Sequence, residues 1–173
     1  MQEVFDAAFM HSAKEAGMDV EPAPSGQRFW DVALNGQKIS LKTTKAKSLK
    51  RDLLHISKLT EAAWIQDCRT AKDRMERTFE LFRTYTEEVD SIFQFRFFTK
   101  KSFYELIEIQ VDMLEAVMDV PKSCFAADGP SISIPVGSEN PDFTLKLDRS
   151  DAKITLANIR KSKCVMHASW KFE

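Results

Sequence analysis

The sequence predicts an α/β (α+β) protein with a mixed central β-sheet flanked by helices, and three observations carry the prediction. Stretches of helical periodicity and of strict alternation follow one another as helix, hairpin, long helix, two strands, short helix and then strands. Neither a helical bundle nor an all-β sandwich gives that order. One hairpin is marked by Asn35-Gly36, the strongest two-residue turn signal, set between apolar runs. The third observation is composition. With 173 residues, 43% of them hydrophobic and 29% charged, the chain can build a core and is too apolar for compositional disorder.

Each element has its own signature. Val4, Phe5, Ala8, Phe9 and Ala13 recur at helical spacing and Gly17 follows as a C-cap, so 2–16 reads as an amphipathic helix. Residues 18–21 read as a short strand, ended by the breakers Pro22, Pro24 and Gly26. The hairpin arms are 29–34 and 38–43, and the polar, basic stretch 45–55 reads as a loop. From Lys58 to about Glu88 the pattern is helical with a break near Thr70 or Asp73. Ala62, Ala63 and Ile65, then Met75, Phe79 and Phe82, supply its apolar stripes. Residues 91–98 and 103–109 alternate as strands, and a short helix covers 111–118 before Pro121. The last quarter reads as four strands, 131–136, 143–147, 154–159 and 164–172. No repeat or low-complexity linker divides the chain, so 1–173 is read as a single domain.

Charge and cysteine usage bound the function. Acids and bases nearly cancel, 26 against 25, which excludes a polybasic field over the whole protein but leaves room for a basic face. Resolved along the chain the balance is uneven. Lys38 to Arg51 and Lys153 to Lys171 contain no acid, whereas Glu105, Glu108, Asp112, Glu115, Asp119 and Asp128 make the middle acidic. The first residues include Glu3 and Asp6 and lack the basic stretch of a signal peptide, and no apolar run approaches the roughly 18 residues of a membrane span. Cys68, Cys124 and Cys164 are odd in number, far apart and without a C-x-x-C pair. A disulfide framework or zinc site is not expected, no membrane partner is expected, and the reducing cytoplasm is the expected setting.

The chemistry concentrates in the hairpin. A two-residue turn at Asn35-Gly36 sets Asp31 near Ser40 across the ladder, and alternation puts Ser40 and Lys42 on one face. Trp30, Val32, Ile39 and Leu41 would face the core. A carboxylate, a hydroxyl and an ammonium so grouped can hold Mg²⁺ and position water for attack on a phosphodiester. They also make an ordinary cross-strand Asp–Lys pair on a solvated face. The surroundings bear on the choice. Glu3 on the leading helix brings a second carboxylate toward the sheet. Lys45, Lys47, Lys50 and Arg51 leave the same strand, where a phosphate backbone would pass.

The order helix with Glu3, strand with Asp31, hairpin, and strand with Ser40-Leu41-Lys42 resembles the PD-(D/E)-x-K nuclease core, and within it the type II restriction endonucleases. The resemblance covers about the first ninety residues, read as the catalytic core. Residues from about 91 to 173 would then be a strand-rich part for DNA recognition and dimerisation. Trp30 stands where the motif has Pro, and Ser40 stands where it usually has Asp or Glu, an S-x-K variant. The resemblance implies a restriction-endonuclease-like fold and a sequence-specific double-strand DNA endonuclease dependent on Mg²⁺. Asp31, Glu3 and the carbonyl of Leu41 would hold the metal, with Asp52 or Glu61 as substitutes for Glu3. Lys42 would stabilise the attacking hydroxide or the charge developing on phosphate. Ser40 would hydrogen-bond water in the metal shell. One site per subunit cuts one strand, so a duplex cut implies a homodimer, or a catalytic subunit with a larger recognition partner.

A second basic region holds Asn158, Arg160, Lys161 and Lys163, side chains suited to base edges or phosphates and equally to a polar turn. His11, His55 and His167 lack metal-ligand spacing and read as structural or surface groups. Phe93, Phe95, Phe97, Phe98 and Phe103 read as core rather than as a base-stacking platform. Three other readings stay open: a catalytically inactive DNA-binding module on the same fold, a nicking or repair endonuclease subunit, and an unrelated small-molecule enzyme.

Overall fold

Turn chemistry and alternation account for the elements next to the site. In the computed structural model, which describes residues 1–171, the chain begins with α1 (Gln2–Glu15). It ends in a Schellman turn: Gly17 takes φ 79°, its N–H donates to Lys14, and the Met18 N–H donates to Ala13. Strands β1 (Val20–Pro22), β2 (Val32–Leu34) and β3 (Gln37–Ala46) follow. Asn35 and Gly36 both have positive φ, 48° and 83°, the type I′ geometry that matches the twist of paired strands. The resulting register sets Val32 opposite Ile39 and Leu34 opposite Gln37.

The remaining elements are β4 (Leu53–Glu61), α2 (Ala71–Glu88), β5 (Ser91–Phe98), β6 (Phe103–Gln110), β7 (Ser131–Val136), β8 (Phe143–Asp148), β9 (Lys153–Arg160) and β10 (Val165–Lys171). Two compact units result. The first comprises 1–51, 87–111 and the segment from Cys164 onward; the second comprises 52–86 and 112–163.

The first unit is a mixed six-stranded sheet in the order β1-β2-β3-β5-β6-β10. Strands β3 and β5 run parallel, Ile39 beside Ser91 through Ala46 beside Phe98, and the other pairings are antiparallel. Helix α1 seats Phe5 on Val32, Ile39 and Leu41, with Phe9, Phe93 and Phe95 packed around them. Phe5 stacks on Phe95 with ring centroids 5.0 Å apart. The second unit is an antiparallel sheet, β4-β9-β8-β7, whose inward residues Ile134, Leu145, Leu147 and Leu156 are fully buried.

The mixed central sheet with helices is the expected fold class. Two local expectations are corrected. The return strand of the hairpin runs to Ala46, into the stretch expected as loop, and Leu53 begins another strand. Lys58 to Glu61, expected as helix, belongs to that strand, because β4 pairs with β9 (Leu54 beside Ile159, Thr60 beside Ile154) and burial against a distant strand overrides local pattern. The short helix expected over 111–118 is present at Val111 to Asp119 and winds as a 3-10 helix. Helix α2 starts where the break was expected, with the Asp73 N–H donating to the Thr70 hydroxyl at 3.0 Å. Among the described residues no helix is long and apolar enough to cross a membrane.

Candidate active site

The site is built where β2 stops short. Strand β2 has three residues and β3 has ten, so the edge of β3 that faces β2 loses its ladder partner beyond Ile39. The last ladder bond is Asp31 N–H to the Ile39 carbonyl, 2.9 Å. The next peptide groups on that edge belong to Leu41, and side chains satisfy both. The Leu41 N–H donates to Asp31 Oδ2 at 2.6 Å, and the Leu41 carbonyl accepts from Gln2 Nε2 at 3.0 Å. The same amide donates to Asp6 Oδ1 at 2.6 Å, while Gln2 Oε1 accepts from the Thr43 hydroxyl at 2.9 Å. Helical spacing explains why α1 does this. Gln2 and Asp6 lie four residues apart and flank Phe5, so docking the phenyl ring on the sheet lays both along the β3 edge.

Asp31 is exposed and Lys42 half-buried. Asp6 is half-buried, and its carboxyl is pushed above the usual carboxylate range, chiefly by burial. The Gln2 hydrogen bond opposes the shift; the charges of Asp31 and Glu3 add to it and Lys42 counters them. Asp6, Asp31, Glu3 and Lys42 therefore share one electrostatic neighbourhood. Glu3 lies exposed on α1. Ser40 is fully buried with no hydrogen-bond partner for its hydroxyl among the described residues, so it does not share the exposed surface on which Asp31 lies. Asp52 and Glu61 belong to the second unit, where Glu61 pairs with Lys58 at 2.7 Å. Gln2 and Asp6 were missed in the sequence. Their i, i+4 relation around Phe5 was the available signal.

The basic candidates divide between the units. Lys45, Lys47, Lys50 and Arg51 are exposed in the first, with Lys45 Nζ 5.6 Å over the Phe97 ring. Asn158, Arg160, Lys161 and Lys163 lie in the second. Asn158 takes φ 52° at a bulge in β9, and Arg160 and Lys163 stand 4.0 and 3.8 Å from Asp142. His167 packs on Phe93 at 5.0 Å and meets Glu108 at 2.6 Å, a structural setting like the one expected.

Among the described residues no three His, Cys, Asp or Glu side chains group closely enough to hold a metal by themselves. The donors that are present still fit Mg²⁺. That ion takes one or two carboxylates and keeps several waters, and here Asp31 holds the Leu41 N–H, the Gln2 amide links Asp6 to the Leu41 carbonyl, and the Glu3 charge acts on Asp6.

Known proteins resemble this chain over most of its length. Residues 2–172 match the model of the SmaI family, described as type II site-specific deoxyribonuclease. The chain is 25% identical over 182 residues to the type II restriction enzyme SmaI of Serratia marcescens, an alignment covering 98% of this chain and 70% of that protein. A solved restriction endonuclease in complex with substrate DNA aligns with 92% of this chain and 69% of its own, at 15% identity and a TM-score of 0.38.

Proposed function

The chain belongs to the SmaI family of type II site-specific deoxyribonucleases, and from that premise we propose that it is a Mg²⁺-dependent enzyme that hydrolyses double-stranded DNA at a specific sequence. The observation that carries the reading is the Leu41 peptide, with the Asp31 carboxylate on its N–H and its carbonyl turned to the same bare sheet edge. Asp31, the Leu41 carbonyl and a carboxylate from α1 would hold the ion, which supplies Lewis acidity toward the scissile phosphate and the attacking water. Asp6 supports that third role better than Glu3, because the Gln2 amide already ties it to the Leu41 carbonyl. Lys42 would set its ammonium against the charge that develops on phosphate as the P–O bond breaks. Buried Ser40 carries no ligand role in this scheme and would act as packing beneath the pair.

Lys45, Lys47, Lys50 and Arg51 would follow the backbone of the cut strand, and Asn158, Arg160, Lys161 and Lys163 would contact DNA from the second unit. Cutting both strands of a palindrome calls for two copies of the site, hence a homodimer.

Digestion of a DNA of known sequence with Mg²⁺ tests this reading. Discrete fragments are expected from the wild type, and none from Asp31→Ala or Lys42→Ala while each variant stays folded by circular dichroism. Wild-type cleavage by either variant would remove its residue from the mechanism. Binding without cleavage in Mg²⁺ or Mn²⁺ would favour a catalytically inactive module, the second reading that Ser40 at the usual acid position keeps open.

A further inference from the structure

At the far end of β3 from Lys42, three segments of the first unit enclose a cavity of about 650 Å³. Five cations line it: Lys47 and Arg51 from the segment after β3, Lys100 and Lys101 from the β5–β6 turn, and Lys171 at the end of β10. No carboxylate is among its lining residues within the described chain, and Phe98 and Phe103 form part of its apolar lining. Five like charges converging on one cavity form a strong local positive field.

The cavity is also braced from within. Arg96 and Glu105 face each other across β5 and β6 and form an ion pair at 2.9 Å, exposed by only 1% and 2%. The Arg96 guanidinium also donates to the main-chain carbonyls of Lys50 and Arg51. A buried group of the hairpin therefore holds the basic segment that forms the opposite rim. Solvated lysines at a sheet end need no such tie. The brace spends buried hydrogen bonds on keeping the two cationic rims together.

We propose that this cavity binds backbone phosphates of the DNA duplex outside the cut site, a contact additional to the catalytic centre and resting on the nuclease reading above. From Lys42 to Ala46 the chain is extended, which at roughly 3.3 Å per residue is a span of about 13 Å, and Lys47 follows. Steps along duplex DNA are about 3.4 Å, so phosphates several nucleotides from the scissile one fall within reach. The cavity is thus a clamp on flanking DNA, indifferent to sequence and sensitive to salt.

The test compares wild type with Lys100→Gln/Lys101→Gln, both exposed positions, on two duplexes carrying the cleaved sequence. One duplex ends at that sequence and the other extends about one helical turn beyond it on each side. Affinities are read by fluorescence anisotropy with Ca²⁺ in place of Mg²⁺. The variant is expected to lose about tenfold on the long duplex and little on the short one. Its log K against log salt slope should be shallower by up to about 1.8, two contacts' worth. Equal loss on both duplexes, or no loss on either, overturns the clamp while leaving the nuclease reading intact. A wild type that neither binds nor cuts DNA overturns both. Calorimetric titration with inorganic phosphate separates the remaining source of the same chemistry. Saturable phosphate binding that the variant abolishes, with its DNA affinity unchanged, would assign a free-anion site and overturn the clamp.

Discussion

At Leu41 a strand and a helix converge on one peptide unit, and the cost of that convergence falls on Asp6. A carboxylate half-buried beside Asp31 and Glu3 is less stable as an anion there than in the unfolded chain. Its folded pKa is raised, so the protonated form favours the native state. That contribution is fully present below the unfolded value near 3.8 and disappears as pH rises through the folded value. At neutral pH ionised Asp6 therefore works against the fold. Asp6→Asn keeps an acceptor for the Gln2 amide and removes the charge. In EDTA it should melt higher than wild type at pH 7 and alike near pH 3, while losing cleavage in Mg²⁺. Glu3→Gln removes only the weakest of the charges acting on Asp6 and should raise the pH 7 melt by less than Asp6→Asn does, with no change near pH 3. An Asp6→Asn protein no more stable than wild type at pH 7 would show that ionised Asp6 does not work against the fold.

Among the elements, the β5–β6 hairpin shows how a polar interior is tolerated. Arg96 and Glu105 are buried in a sheet whose neighbouring residues Ile92, Ile107 and Ile109 are fully apolar, and each would be costly alone. Glu105→Gln leaves the guanidinium without its counter-charge and should destabilise by about 3–5 kcal/mol, read as a lower urea midpoint. The double variant Arg96→Met/Glu105→Leu should recover most of that loss, yet release the Lys50 and Arg51 carbonyls and weaken DNA binding. A single variant as stable as wild type would mean the pair is solvated in solution. Nothing in the sequence marks this pair, because its alternation Phe95-Arg96-Phe97 places a charge where a surface residue is expected. The Asn35-Gly36 hairpin was legible for the opposite reason: its turn type and register are set by residues adjacent in sequence. Strand β4 lay between these cases. Lys58 and Glu61 sit at helical spacing and do form an ion pair, but β9 decides the conformation, and that partner is remote in the chain. In the candidate site, the placing of Asp31 and Lys42 near one another was legible from the hairpin register, whereas that of Gln2 and Asp6 depended on where Phe5 docks.

Across the whole molecule the near-zero net charge averages unlike regions, and the strand order averages unlike distances. The chain passes between the two units at Arg51, Thr86, Val111 and Lys163, so each unit is assembled from separate segments. Strand β3, which carries the site, is paired on one side by β2, adjacent in sequence, and on the other by β5, which lies beyond α2. A fragment of residues 1–90 contains Asp31, Ser40 and Lys42, α1 and both arms of the hairpin. It lacks β5, and with it Phe93 and Phe95, against which Phe9 and Phe5 pack. It also lacks β9, the sheet partner of β4. What remains pairs β3 only with the three-residue β2, leaves β4 without its partner strand, and buries too little apolar surface to offset chain entropy. The fragment should therefore show no cooperative thermal transition by circular dichroism and no cleavage in Mg²⁺, whereas the full chain should show both. A cooperative melt from the fragment would mean that the motif-bearing segment is a folding unit in itself, and that β5 supports the site without being needed to form it.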